Sequence, residues 1–188
     1  NEVFALLAPW TARRLPQEWD GIRSRRPVLS TLWLLLAVLT LVRTAGVALF
    51  MADPSHAAVS TYGFDEFYIG HSCYSGYWQA ANLALSGVPN LYDVQQYQGK
   101  HIGIFYFDEF MYLPQFLLLP MLGVAFGGDF HELRALWFTL EGGTLLACML
   151  ALTTWIGGQP GRRAALLIPA VWIASPVLLT LQLGNFQL

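Results

Sequence analysis

Charge is what this sequence has least of. Only 12% of its 188 residues are Asp, Glu, Lys or Arg, 55% are hydrophobic, and the mean hydropathy is +0.47. A water-soluble domain of this size needs a more polar exterior, so the composition excludes an ordinary soluble fold and fits a polytopic membrane protein. Bases are scarcer still in the middle of the chain: Asp53 to Glu132 holds eight acids and a single base, Lys100. Five arginines (Arg13, Arg14, Arg23, Arg25 and Arg26) precede the first apolar run but form no extended basic face, which excludes nucleic acid as an expected partner. There are two cysteines, Cys73 and Cys148, in no metal or redox spacing; Cys148 lies in an apolar segment, so a disulfide framework is excluded too. No phosphate-cradling glycine loop is present. Nor is a cleavable signal peptide expected, because the first long apolar run follows a basic leader and is itself of spanning length.

What the sequence does have is long apolar segments around one polar loop. Residues 1–27 read as a cytoplasmic basic segment, and residues 28–51 as the first transmembrane helix, Val28 to Phe50 being its apolar run. Residues 52–111 form an acidic, aromatic extracytoplasmic loop. The remaining helices fill 112–188: 112–126 is re-entrant or kinked by Pro114 and Pro120, while 133–156 and 164–183 are transmembrane, the last bent by Pro169 and Pro176. The expectation is an all-α integral membrane protein with three to four transmembrane helices and a large extracytoplasmic loop carrying short interfacial helices. Basic residues at the amino terminus place that end in the cytoplasm and the protein, multi-pass, in the cytoplasmic (inner) membrane.

The segment 112–126 decides the topology. If it does not cross, Arg162 and Arg163 share the cytoplasmic side with the amino terminus. Arg43 and Glu141, the charges inside spans, then lie at similar depths, about 10 and 12 Å from the outer ends of their helices. If it crosses, those depths differ by roughly 10 Å. Intramembrane charges usually find partners, which favours the non-crossing arrangement. The start at Asn1 and the end at Gly-Asn-Phe-Gln-Leu read as part of a longer gene product.

All eight tyrosines and three of the four histidines fall between His56 and Tyr112, and the tetrapeptide Phe-Asp-Glu-Phe occurs twice, at Phe64–Phe67 and Phe107–Phe110. Gly76 to Leu85 reads as a short amphipathic helix with Ser75 as its N-cap, and Leu91 to Phe110 as turns and irregular structure. Glycosyl transfer from a lipid carrier needs a base near the acceptor hydroxyl, cations or donors near the carrier phosphate, and aromatic surface for the sugar. Asp65, Glu66, Asp108 and Glu109 are the candidate bases. Arg43, His71, Lys100 and His101 suit a phosphate, and the tyrosines with Trp78 suit sugar rings. The histidines lack i, i+4 companions, which argues against a structural zinc site, whereas the Asp-Glu pairs offer hard oxygens to magnesium or manganese. No base is placed by spacing beside Ser72 or Cys73, so neither is read as a nucleophile.

The order of several short motifs resembles a known family. They are Tyr77-Trp78-Gln79-Ala80-Ala81, Ala84-Leu85-Ser86-Gly87, Leu91-Tyr92-Asp93, Tyr112-Leu113-Pro114 opening a proline-containing apolar run, and Gly184-Asn185 after a further apolar run. In that order, behind a basic amino terminus and one span, they resemble the GT-C type polyprenol-phosphate-sugar transferases of glycosyltransferase family 87, over an amino-terminal portion of such an enzyme from about Thr31 onward. The resemblance implies an inverting, metal-independent transfer of mannose or a related sugar from a polyprenyl-phosphate donor to an extracytoplasmic acceptor. No cofactor is expected, and an acid in the first outer loop acts as base. Tyr77, Tyr112 and Asn185 join the substrate-binding candidates, and Asp65 is the preferred base with Glu66 second. Two departures stand out: counting back from Ala80-Ala81, the family's loop aspartate is replaced by Cys73, and its Tyr-Pro-Pro is Tyr-Leu-Pro. The partners expected are the lipid bilayer and the donor. The alternative is a non-catalytic, transferase-derived subunit packed against other membrane protein subunits.

Overall fold

The computed structural model describes residues 19–59 and 65–185. The described chain is mostly helical. Two helices are long and apolar enough to cross a membrane: α1 (Pro27–Ala52, 26 residues) and α5 (Phe130–Ile156, 27 residues). At 1.5 Å per residue each is about 40 Å long, sufficient for a hydrocarbon core of about 30 Å. Leu35, Leu41 and Val42 on α1 and Leu136, Leu146 and Leu152 on α5 are exposed. Lipid tails, rather than water, are the medium that such faces suit.

The described chain falls into two compact units. The first comprises residues 19–42 and 144–174, the second residues 43–59, 65–143 and 175–185. In the first, the Trp19 ring lies 4.8 Å from that of Trp33. The Trp33 indole donates to the Leu166 carbonyl at 2.6 Å, and the Thr40 hydroxyl lies 3.1 Å from the carbonyl of Pro169. These bonds fall where the chain is broken. The expected single bent span over 164–183 is instead three helices, α6 (Gly158–Leu166), α7 (Ile168–Trp172) and α8 (Ser175–Leu183). The interruptions precede Pro169 and Pro176, whose missing N–H groups cannot continue the ladder. None of the three reaches spanning length alone.

The second unit holds the polar loop. Its helices are α2 (Glu66–Gly70), α3 (Cys73–Leu85), α4 (Leu118–Ala125) and the carboxy-terminal α8. The stretch expected to be irregular contains part of a small three-stranded sheet of order β1-β3-β2. β1 (His71–Ser72) runs parallel to β3 (Phe105–Phe107), with His71 opposite Tyr106 and Ser72 opposite Phe107, and β2 (His101–Ile102) is antiparallel to β3. Gly103, at φ 57°, supplies the positive φ that the two-residue turn between β2 and β3 requires. Strands this short carry no legible alternation, which is why the sequence reads as turns.

Pro114–Leu117 is a 3₁₀ turn leading into α4; together they cover 12 residues, about 20 Å. That is shorter than the hydrocarbon core of about 30 Å. Beneath the loop is an aromatic core of Phe50, Tyr74, Tyr77, Phe105, Phe130 and Trp137. Arg134, fully buried, packs against it. The guanidinium lies over the rings of Phe50 and Phe105, at 4.5 and 4.2 Å from their centroids, and donates from Nη1 to the carbonyls of Phe50 and Met51 at 2.8 and 3.2 Å. It thereby satisfies two of the carbonyls that the end of α1 leaves open, at the negative end of the helix dipole.

Candidate functional site

The site begins with the strand-to-helix junction at residues 71–76. Ser72 is the N-cap of α3, so the helix starts at Cys73, three residues before the start expected at Gly76. This shift puts Ser75 inside the first turn, buried, rather than at the cap. Its hydroxyl donates to the Tyr106 carbonyl and accepts from the Asp108 N–H, both at 2.9 Å. One side chain therefore clamps the segment leaving β3 against α3. Gly76 completes the seat: a Cβ there would lie 2.8 Å from the backbone oxygen of Asp108.

The result is a polar cluster built from three sequence positions. His71 turns Nδ1 toward Asp108 Oδ1 at 3.3 Å and Nε2 toward Cys73 Sγ at 3.8 Å. Phe67 stacks on the imidazole at 4.9 Å with ring planes 16° apart. The second Phe-Asp-Glu-Phe segment and the described part of the first thus converge on one histidine, a meeting that periodicity could not show. Burial holds the Asp108 carboxyl above its ordinary value, with the His71 charge opposing that shift. Burial first, and then the Asp108 carboxylate, push the Cys73 thiol up to about 12.

The cluster opens on a cavity of about 540 Å³. His71, Cys73 and Asp108 lie on it together with Tyr77, Phe110 and Tyr112. Tyr77 is almost wholly buried; its ring packs 5.0 Å from Tyr112 and 5.4 Å from Trp137. Asn185 reaches the same cavity from the end of α8, where the Tyr112 hydroxyl lies 3.4 Å from its Oδ1. α8 is held there by Gln182, which donates to the Tyr68 carbonyl at 2.9 Å, and by Gly184, at φ 68°, whose Cβ would stand 3.2 Å from that of Tyr74. The exposed Glu109 also lines the cavity.

Of the residues singled out by sequence, His71, Tyr77, Asp108, Glu109, Tyr112 and Asn185 come together here. The others do not line the cavity. Asp65 is the N-cap of α2, its carboxylate accepting from the Phe67 N–H at 3.0 Å, and Glu66 is exposed in the first turn of that helix. Lys100 and His101 are exposed around the start of β2. Trp78 packs between Phe107 and Phe130, with ring centroids 6.1 and 5.9 Å away. Arg43 is half-buried on α1, and Glu141 lies on α5 with both carboxyl oxygens buried. Arg43 stands nine residues from the carboxy-terminal end of α1 and Glu141 eleven residues from the amino-terminal end of α5.

Sequence reasoning missed Cys73 as a member of the site. Its base-like neighbours are two residues away on a strand and 35 residues away past a hairpin, a juxtaposition that only the fold creates. The one signal available was its place in the motif order, at the position of the expected aspartate. Among the described residues, the donors grouped closely enough to hold a cation are His71, Cys73 and Asp108, whose ligand atoms lie within 4.8 Å of one another. Compared with models of protein families, with curated proteins and with solved structures, the chain gives no match.

Proposed function

We propose that this chain is the amino-terminal part of a GT-C type membrane glycosyltransferase, in which Asp108 is the general base toward an acceptor hydroxyl held in the cavity. The donor is a polyprenyl-phosphate sugar of the mannose type and the acceptor is extracytoplasmic. One observation carries this reading: the carboxylate of Asp108 stands beside Cys73, the position at which the resembled family has its loop aspartate. A carboxylate arriving from β3 supplies the chemistry that the α3 start has lost.

The surroundings support the same role. Burial raises the basicity of Asp108, and the imidazole of His71 orients it, as a base that must take a proton in the transition state requires. Tyr77, Tyr112 and Phe110 offer the aromatic surface on which sugar rings pack. Neither Lys nor Arg lines the cavity among the described residues, which suits a neutral acceptor better than the carrier phosphate. In this reading the amino terminus is cytoplasmic, α1 and α5 span the inner membrane, α4 with its preceding turn is re-entrant, and the three helices after Gly157 form a third, broken crossing.

The test is transfer by the full-length protein in liposomes, with a polyprenyl-phosphate mannose donor and a chelator present throughout. Asp108→Asn is expected to lower transfer by roughly a hundredfold or more, in the range that general-base removal gives. Wild-type transfer that persists unchanged in Asp108→Asn overturns the assignment. Absence of transfer by the wild type with every donor tried, together with stoichiometric co-purification of partner chains, points instead to the subunit alternative.

A further inference from the structure

We infer that His71, Cys73 and Asp108 form a binding site for a thiophilic divalent cation of the zinc class, with one coordination position open to the cavity. The donor set is mixed: one imidazole nitrogen, one sulfur and one carboxylate oxygen, all within 4.8 Å of one another. Three protein ligands with a fourth position left to solvent or substrate is the composition of zinc sites that act on a ligand rather than only hold the fold. Sulfur selects against magnesium and calcium, which take oxygen.

The geometry is close to ligation before any ion arrives. Two donors bound at about 2.0–2.3 Å to one tetrahedral ion stand roughly 3.5 Å apart, and Cys73 Sγ lies 3.8 Å from His71 Nε2. Asp108 Oδ1 faces the other ring nitrogen, Nδ1, at 3.3 Å, and one ligand atom from each of the three residues lies within 4.8 Å of the others. The backbone is already fixed: His71 by its parallel pairing to Tyr106, Cys73 by the first turn of α3, and Asp108 by the Ser75 clamp and its contact with Gly76. Preorganisation of this kind is what separates a metal site from a chance cluster.

This inference stands apart from the transferase reading. An ion held by Asp108 occupies the carboxylate that an acceptor hydroxyl would need, so ion binding and base catalysis exclude each other at this site, and thiophilic ions become candidate inhibitors.

The experiment is an anaerobic titration of the full-length, chelator-stripped protein in detergent with Co(II), followed by absorption. The expected result is a thiolate-to-cobalt charge-transfer band that saturates at one ion per chain and is bleached by Zn(II). The band is lost in Cys73→Ser and kept in Cys148→Ser. His71→Gln weakens binding by at least the roughly tenfold that loss of even a ligand's outer partner costs. No charge-transfer band in the wild type, or a band that survives Cys73→Ser, overturns the site. The wild-type arm decides without any variant having to fold, and the spectrum reads the ion directly, so a failure of sugar transfer leaves the result intact.

Discussion

Gly76 and Asp108 meet backbone to backbone. A methyl group on Gly76 would stand 2.8 Å from the carbonyl oxygen of Asp108, closer than a carbon and an oxygen can approach. The first turn of α3 and the chain leaving β3 therefore share one surface with no room for a side chain, and the position of the Asp108 carboxylate follows from that contact.

Gly76→Ala is accordingly expected to move Asp108. Overpacking costs about 1–3 kcal/mol, while alanine in a helix regains about 1 kcal/mol over glycine, so the net loss is up to about 2 kcal/mol. The functional loss should be larger, because a shift near 1 Å at a catalytic group costs on the order of a hundredfold. Thermal unfolding and transfer rate, measured on the same preparation, check the split. Unchanged transfer would mean that the position of Asp108 is not set by this contact.

Ser75 ties the same two elements by polar means. Its buried hydroxyl links the Tyr106 carbonyl to the Asp108 N–H, and Ser75→Ala leaves both without that partner. Each buried orphan costs about 1–3 kcal/mol. Ser72, equally buried but with no hydrogen-bond partner for its hydroxyl among the described residues, provides the comparison. Ser72→Ala should be close to neutral, and hydrogen exchange of the residue 105–108 amides should rise in Ser75→Ala only. Equal protection in the two variants contradicts the clamp.

Substitution can tell the cap at Asp65 from the base proposed at Asp108. Asp65 holds the Phe67 N–H at the start of α2, and an N-cap aspartate replaced by alanine costs about 0.5–2 kcal/mol, whereas asparagine caps nearly as well. Asp65→Asn should thus retain both stability and transfer, and Asp65→Ala should lose stability while keeping much of its rate per folded molecule. Loss of transfer in Asp65→Asn with Asp108→Asn still active would return the base to the first tetrapeptide.

Much of this was legible before the fold. The two spanning helices follow from the apolar run that starts after Pro27 and ends before Asp53, and from the run read over 133–156, which the helix Phe130–Ile156 extends by one turn. The break near Pro169 and Pro176 follows from the missing N–H groups. The site was half legible: six of the residues singled out share the cavity, because the motif order placed Tyr77, Tyr112 and Asn185 and the composition of the loop singled out His71, Asp108 and Glu109. The preference for Asp65 rested on proximity in sequence to the lost aspartate. The placement of Asp108 beside Cys73 was not legible, because the contact between β1 and β3 spans more than 30 residues and uses strands of only two and three residues. Such strands leave no periodic trace.

Arg134 supplies the last test, of the frame beneath the site. Its Nη1 bonds two carbonyls at the end of α1, and its guanidinium packs against two phenylalanine rings, one of which, Phe105, begins β3. Charge-assisted bonds contribute about 1.5–3 kcal/mol and each desolvated cation–π contact about 1–2 kcal/mol, against the cost of burying a cation without a carboxylate beside it. Replacement by methionine removes that cost as well as the bonds, but it strands the Phe50 and Met51 carbonyls, and lysine keeps one donor while losing the planar stack. The expected order of stability in detergent is therefore wild type, then Arg134→Lys, then Arg134→Met, with the methionine variant about 1–3 kcal/mol below wild type. An Arg134→Met protein as stable as wild type would show that desolvation outweighs the carbonyl bonds. The arginine's value would then lie in holding β3, and with it Asp108, at a fixed distance from the end of α1.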